Sequence, residues 1–237
     1  ERIIAGDPVE CLDTVPPVDY GDYFQQVDSF CPGVYAKGVS IGLETTRGCW
    51  HGTCNFCGMN GKRRRFRRKS EETVAAEIRR IDRGCPGYGV LLVDKVMPQS
   101  FRERLLPLLD KAERKGPVVF EHRPNLGFDD LRDLKEKNIH IVKIGIESLS
   151  TGLLQLVNKG VTASQNLLLL RNAAVFGIYV DWNLLWGFPG DKAGHYEETL
   201  ALLPLIRHLC PPAVFRHISI DRFSPYFQRA QEFGIAN

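Results

Sequence analysis

A chain of 237 residues, 43% hydrophobic and 25% charged, is long enough for one sizeable core with a short appendage and is ordinary in composition for a globular protein. It has no run of about 18 uncharged apolar residues, which excludes a membrane-spanning helix, and its opening, ERIIAGDPVE, lacks the basic and apolar regions of a signal peptide. The net charge of +3 is local: residues 62–69, KRRRFRRK, hold seven basic residues, and the remainder carries 24 basic against 28 acidic.

Residues 1–37 carry four prolines, several acids and scattered aromatics, with little periodicity, and read as a linker or capping segment packed on the core through those aromatics. From Val39 the pattern alternates. Val39 to Leu43 reads as a first strand and Glu71 to Arg83 as a helix, with Ser70 as its N-cap and acids in its first turn. Val90 to Val93 is a second strand, and Phe101 to Lys115 a helix with Pro107 at a kink or first turn. Val118 to Glu121 is a third strand, Asp129 to Lys137 a helix and Ile141 to Ile146 a fourth strand. Two helices follow, Thr151 to Val157 and Ala163 to Phe176, then a fifth strand, Ile178 to Leu185. A helix from Tyr196 to Leu209 and a sixth strand, Phe215 to Phe223, complete the series, with no helix predicted after it. Six short apolar strands alternating with helices argue for an α/β fold of parallel βα units. Six falls short of the eight of a closed barrel, so a partial (βα)6 TIM-like barrel is expected, with its site at the C-terminal strand ends.

The stretch Glu44 to Gly61, ETTRGCWHGTCNFCGMNG, leaves strand one and brings Cys49, Cys54 and Cys57 together in a C-x4-C-x2-C spacing. Thiolates on one flexible segment converge on a soft metal centre. Three are incomplete for a structural zinc site, which wants four protein ligands, and no second CxxC or Cys/His pair supplies the fourth, although His51 or a distant cysteine remains an alternative. In an iron–sulfur cubane, three cysteines leave one iron open to an outside ligand. Seven cysteines, an odd number with three clustered, argue for a reducing compartment, hence the cytoplasm, rather than a disulfide framework.

The cysteine loop, with Phe56 before its last cysteine, resembles that of the radical S-adenosylmethionine (radical SAM) enzymes, although a first spacing of x3 is commoner there. RGCWHGTCNFCGMNG, FRRKS (66–70), IGIESLS (144–150), LLWGFPGD (184–191) and DRFSPYF (221–227) together resemble the subgroup of ribosomal-peptide (RiPP) maturation radical SAM proteins, often fused to a cobalamin-binding domain. The resemblance covers about residues 12 to 235. It implies a partial barrel of the radical SAM type over residues 38–237, with residues 1–37 as the connector to an upstream cobalamin-binding domain. It also implies a [4Fe-4S] cluster held by Cys49, Cys54 and Cys57, S-adenosylmethionine on the open iron, and a 5′-deoxyadenosyl radical that abstracts hydrogen from substrate carbon.

By the same resemblance, Phe56 places its backbone near the adenine, Glu147 and Ser148 contact the cofactor's hydroxyl or amino groups, and Asp94 receives its amino group. The subgroup often shows Asp-Asn, so Lys95 is a departure. Glu121 and Arg123 alternate onto one face of strand three, and Arg123 suits a carboxylate. Asn183 and Trp186 line the cavity or the core, while His122 reads as a packed or exposed histidine rather than a ligand. An alternative pairs Glu147 with a lysine and makes Ser148 a helix cap. No catalytic residue is assigned beyond the cluster.

The basic run fits a solvated loop or helix entry, an electrostatic dock for an acidic leader peptide, or nucleic acid. Because FRRKS itself matches the peptide-maturation subgroup, nucleic acid is not the expected partner. The expected function is radical modification of a ribosomally synthesised precursor peptide, by C-methylation if a cobalamin domain lies upstream, with an external electron donor. Epimerisation or cross-linking of a peptide, tRNA modification, and a zinc-stabilised binding module are the alternatives.

Overall fold

The computed structural model describes residues 6–31, 40–59, 65–85, 87–94, 96–98, 100–109 and 116–235. Val39, Lys62 to Arg64, Lys95 and the 110–115 part of the expected second helix lie outside the described residues. The elements in order are α1 (Gly21–Phe30), β1 (Ser40–Leu43), β2 (Thr46–Arg47), β3 (Arg67–Arg68), α2 (Glu71–Gly84), β4 (Gly89–Leu92), β5 (Val118–Val119) and β6 (Glu121–His122). They continue with α3 (Phe128–Glu136), β7 (Ile141–Glu147), α4 (Thr151–Leu156), α5 (Ala163–Phe176), β8 (Tyr179–Trp186), α6 (Ala193–Ile206), β9 (Val214–His217) and α7 (Pro225–Gln228).

All the wall strands are parallel. β1 pairs β4 with Leu43 opposite Leu92, and β4 pairs β5 with Val90 opposite Val118. β6 pairs β7 with Glu121 opposite Lys143, β7 pairs β8 with Lys143 opposite Asp181, and β8 pairs β9 with Asn183 opposite Val214. β5 and β6 are one strand interrupted at Phe120, whose carbonyl still accepts from Lys143 N at 2.9 Å. The result is six βα positions in chain order, the open partial barrel that the alternation demands.

Strand alternation divides the two faces. Val118, Phe120, Val142, Ile144, Ile146, Val180 and Trp182 turn to the helix layer, where Val74, Ile78, Leu131, Leu169 and Leu170 complete the main core. The intervening residues, Glu121, Lys143, Gly145, Asp181 and Asn183, face the concave side. Local signals end the helices where expected. Ser70 Oγ accepts from Thr73 N, and Thr162 with Gln165 forms a capping box at the start of α5. Gly177, at φ 62°, terminates α5 in the left-handed region.

Several expectations are corrected. The segment read as a linker or capping segment, for which no helix was predicted, contains α1, a helix with no buried residue, held by Phe24 against Tyr88 at 4.7 Å and by the Tyr20 hydroxyl donating to Gly42 O. With no apolar stripe to bury, it left no helical period. The helix expected from Phe101 is a π turn, Phe101–Leu105, followed by a 3-10 turn, Leu106–Leu108, because Pro107 brings no N–H to an α ladder. The sixth strand is four residues rather than nine, and all four are exposed, because β8 supplies a partner on one side only. After it, α7 and a 3-10 turn, Ala230–Phe233, fold back where no helix was expected. No helix among the described residues is long and apolar enough to cross a membrane.

Candidate functional site

The cysteine loop springs from the C-terminal end of β1 and is closed at its base by an antiparallel ladder, Thr46 opposite Arg68 and Arg47 opposite Arg67. Asp94, just past β4, locks this base to the wall. Its carboxylate accepts from Thr45 N at 2.8 Å, from Thr46 N at 2.6 Å and from the Thr45 hydroxyl. Burial pushes the Asp94 carboxyl above the usual carboxylate range, against the opposing pull of these donors. Its described partners are thus backbone and hydroxyl groups of the loop base, which makes it a brace.

The other side of the loop is fastened to the turn after α4. Asn55 N donates to Val157 O at 2.9 Å, Asn55 Nδ2 to Leu156 O at 2.9 Å, and Asn158 Nδ2 to Thr53 O at 3.0 Å. The C-terminal segment closes from below: Tyr226 N donates to Asn55 O at 2.9 Å. Beneath lies a small apolar cluster of Leu153, Val157, Leu185, Phe188, Ile218 and Tyr226, with Phe56 set edge-on to Phe188 at 5.7 Å. Gly58 packs on backbone, and a Cβ there would lie 2.1 Å from Arg222 O. His51 is engaged by Thr53 Oγ1 at 2.8 Å and Asn158 O at 3.2 Å. Burial, with Arg123 and Lys159 nearby, presses its imidazole below the ordinary value, and both of its contacts are to loop groups.

The three sulfurs lie within electrostatic reach of one another. Burial, then the neighbouring Cys54 and Cys49, push Cys57 up to about 11. Burial also raises the Cys54 thiol, against the field of Lys159 and Arg123. The positive field at Cys54 favours its thiolate once a metal replaces the proton. Among the described residues no three His, Cys, Asp or Glu side chains are gathered closely enough to hold a single ion. A cubane asks for something else: each thiolate binds its own iron, so the sulfurs surround a cluster rather than meet at a point. The donor set fits an iron–sulfur cluster better than a mononuclear zinc with His51.

The remaining expected residues are gathered around this loop to different degrees. Glu147 ends β7 in the left-handed region at φ 62° and pairs with Lys159 Nζ at 2.9 Å. Ser148 Oγ accepts from Ser150 N at 3.0 Å, and the cap of α4 is Ser150, whose hydroxyl also donates to Glu198 at 2.5 Å. The lysine alternative for Glu147 therefore describes its partner, while the capping role falls two residues later than Ser148. Arg123 is buried with its Nη2 donating to Lys159 O and its guanidinium 5.5 Å from the Trp50 ring centre. Asn183 sits half-buried on the concave face of β8 with no side-chain partner among the described residues. Trp186 is on the opposite face, edge-on to His217 at 4.7 Å, so it does not share a cavity wall with Asn183. His122 is a packed histidine, its Nδ1 at 2.8 Å from Arg123 O. Gly187 packs on His217: a Cβ there would lie 2.2 Å from its Nε2.

Sequence reasoning missed Thr45, Thr46, Asn55, Asn158, Lys159 and Tyr226. Their roles are backbone braces and one long-range ion pair, which leave no local pattern. Of the described basic residues of the run, Arg65 pairs with Glu10 at 2.7 Å on the surface, Arg68 with Glu71 at 2.7 Å and buried Lys69 with Glu77 at 2.7 Å, while Arg67 donates to Val9 O. A large apolar groove of about 770 Å³ lies between α6 and the outer face of β8 and β9, lined by Leu184, Trp186, Leu200, Leu203 and Phe215. Its lining includes none of the three loop cysteines.

Comparison with known proteins agrees with this geometry. The profile of the Radical SAM superfamily matches residues 43–203. The chain is 27% identical over 176 residues to the uncharacterized methyltransferase PH0819 of Pyrococcus horikoshii, covering 70% of this chain and 37% of that protein. It is 25% identical over 183 residues to the tRNA-2-methylthio-N(6)-dimethylallyladenosine synthase of Prosthecochloris aestuarii, covering 71% and 41%. In fold it is similar to the radical S-adenosylmethionine methyltransferase TsrM of Kitasatospora setae, solved with cobalamin and a [4Fe-4S] cluster, with a TM-score of 0.68, 16% identity and 84% of this chain against 38% of that one. The cobalamin-dependent radical enzyme OxsB, solved with aqua-cobalamin, gives a TM-score of 0.59 at 22% identity, over 81% of this chain and 30% of that one. The chain therefore spans about two fifths or less of the length of these relatives. With the family profile lying across the barrel from β1 into α6, the chain belongs to the radical SAM superfamily.

Proposed function

We propose that Cys49, Cys54 and Cys57 hold a [4Fe-4S] cluster at the barrel mouth and that the chain uses it to C-methylate a ribosomally synthesised peptide. The observation that carries this is the three-thiol loop pinned between Asp94 and the α4 turn, beside the C-terminal ends of parallel strands. Enzymes of this superfamily use a [4Fe-4S] cluster with S-adenosylmethionine and require an electron donor. Bound here, the pair supplies a carbon-centred radical able to take hydrogen from substrate carbon, while the protein supplies position and a dry surround.

The chain's own residues divide into two groups in this reading. Glu147 and Ser148, at the top of β7, and Asn183, on the concave face, offer polar groups to the cofactor's hydroxyls and amine. Phe56 offers backbone beside the adenine and a ring that excludes water. Asp94 acts through the loop base rather than by contact. The concave face below offers Glu121, Lys143 and Asp181 on one rung, with Lys143 and Asp181 3.7 Å apart, a mixed-charge surface suited to a polyamide carrying both signs. Cobalamin, on a domain joined through residues 1–37, would carry the methyl group. The resemblance of the barrel to TsrM and OxsB and the relation to a methyltransferase support that assignment.

A tRNA substrate is the second reading, favoured by two tRNA-2-methylthio-N(6)-dimethylallyladenosine synthases among the relatives. The pairing of Arg68 with Glu71 and of buried Lys69 with Glu77 weighs against it, since phosphate binding needs basic groups free to face outward. The test is anaerobic loading with iron and sulfide, followed by reductant, cobalamin and methyl-labelled S-adenosylmethionine, with precursor peptides and total tRNA offered in parallel. Roughly four irons per chain, 5′-deoxyadenosine, and label in a peptide are expected. Label in tRNA would replace this reading with the second, and stoichiometric zinc without iron uptake would end both.

A further inference from the structure

We propose that Asn166, on α5 in the helix layer, is a positioning residue that holds Glu147 in place for S-adenosylmethionine. This rests on the reading of Glu147 as a cofactor contact. β7 does not run straight to its end. Ile144 lies opposite Trp182 but Glu147 lies opposite Leu184, so three steps on β7 match two on β8, and the extra residue makes a bulge. Within it Ser148 N donates to Ile146 O at 2.8 Å, around Glu147 at φ 62°. A ring closed from one residue to the next but one, around a left-handed centre, is the rare and strained form of the γ-turn. Strain of this kind persists only where the surroundings impose it, and it gathers at binding sites.

Asn166 is the residue that imposes it. It is fully buried, at 0% exposure, and its Nδ2 donates to Ile146 O at 3.2 Å and to Ser148 O at 2.8 Å. An amide nitrogen carries two hydrogens, so both are used, one on each side of Glu147. The neighbouring α5 residues Leu169, Leu170 and Ala173 belong to the apolar core, where a buried amide is disfavoured unless it is bonded. The turn carbonyls supply those bonds. Ahead of the turn the Glu147 carboxylate meets Lys159 Nζ at 2.9 Å. The side chain is therefore fixed by a clamp behind its backbone and a cation at its tip. Ser148 rides on the same clamp, its Oγ accepting from Ser150 N at 3.0 Å. Groups locked in this way by supporting hydrogen bonds meet a ligand without reordering.

The experiment uses the full chain loaded with iron and sulfide and no reductant, so that S-adenosylmethionine binds without being cleaved. Its dissociation constant is measured by anaerobic equilibrium dialysis for wild type, Asn166→Ala, Glu147→Gln and the double variant, with iron content and melting temperature recorded for each. Asn166→Ser, which leaves a hydroxyl in the buried position, replaces the Ala variant if that one does not fold. Glu147→Gln is expected to weaken binding. Asn166→Ala is expected to weaken it about tenfold at wild-type iron content, the size of effect that loss of an orienting partner has at metal sites. The double variant should bind no more weakly than Glu147→Gln alone, to within about twofold. Wild-type affinity in the Asn166 variant would overturn the proposal. An equal loss with and without the Glu147 carboxylate would overturn it too, because a residue that merely supports the wall acts through no particular side chain. A loss of affinity matched by a loss of iron would do the same. Unchanged affinity in Glu147→Gln would instead remove the reading beneath, since Glu147 would then not be a cofactor contact and the clamp would have nothing to position.

Discussion

Glu147 Oε1 and Lys159 Nζ lie 2.9 Å apart with both side chains almost wholly buried, tying the C-terminal end of β7 to the turn that carries the cysteine loop. Gly145 makes the pair possible: a Cβ there would lie 2.8 Å from Nζ and 2.9 Å from Oε1. Lys159 also stands 5.9 Å from the centre of the Phe56 ring. Burial presses its ammonium down, but Glu147 and the Cys54 sulfur outweigh it, and its pKa rises. Lys159→Met leaves Glu147 buried and unpaired and is expected to cost about 3–5 kcal/mol in urea unfolding, with Glu147→Leu in the same chain recovering most of it. Because the lysine value is raised, its stabilisation is complete at neutral pH and fades only as pH climbs beyond the ordinary lysine value toward the folded one. A double-variant loss equal to the sum of the two single-variant losses would show that the pair is not coupled.

Asp94 yields a prediction of opposite sign. Its folded value is raised by burial, so the stability linked to this group is fully present below the ordinary aspartate value and is lost as pH rises through the folded value. Asp94→Asn keeps an acceptor for Thr45 N and Thr46 N and places a donor before the Thr45 hydroxyl. Unfolding midpoints from pH 3 to 7 are expected to fall less steeply with pH in the Asn variant than in wild type. Asp94→Ala strands two buried N–H groups and is expected to lose roughly 2–4 kcal/mol. A variant whose pH profile overlays that of wild type would remove Asp94 from the acid-range titration.

The metal-free thiols are expected to be sluggish. With Cys57 at about 11, its thiolate is scarce at pH 8. Relative to an unperturbed cysteine the shift removes about a hundredfold of thiolate, and the greater nucleophilicity of a basic thiolate restores about tenfold, leaving alkylation on the order of tenfold slower. Iodoacetamide labelling of the anaerobic metal-free chain, resolved by peptide mass spectrometry against an unfolded control, reads this directly. Faster labelling in the native chain than in the control would contradict it.

Gly58→Ala tests whether the loop must lie on the C-terminal segment. The added Cβ meets Arg222 O at 2.1 Å, a backbone atom that cannot rotate away. A cost of about 1–3 kcal/mol is expected from overpacking, together with reduced iron uptake as the loop shifts off Tyr226. Normal melting and full iron loading would show that the 221–226 turn is free to move.

The parts of the fold legible in the sequence were those with a short-range physical cause. Buried runs such as Ile141 to Ile146 and Ile178 to Leu185 marked strands to within a residue or two, and Ser70 marked a helix start through its own hydroxyl. Phe215 to Phe223 shows the limit: β-branched and aromatic residues favour a strand, but only Val214–His217 find a partner. In the candidate site, the loop that carries the three cysteines was legible because it follows directly from the first strand and its spacing is a local property.

What joins residues far apart in the chain was settled by tertiary structure. Asp94 faces Thr45 and Thr46 across 48 or more residues, and Arg123 reaches the carbonyl of Lys159 across 36. The sequence by itself determined an alternating α/β wall and a cysteine loop after its first strand, because hydrophobic period and ligand spacing are local properties. Only the tertiary structure decided that Lys159 answers Glu147 in the interior, because charge pairing in a low-dielectric interior depends on distances that strand register and loop closure create.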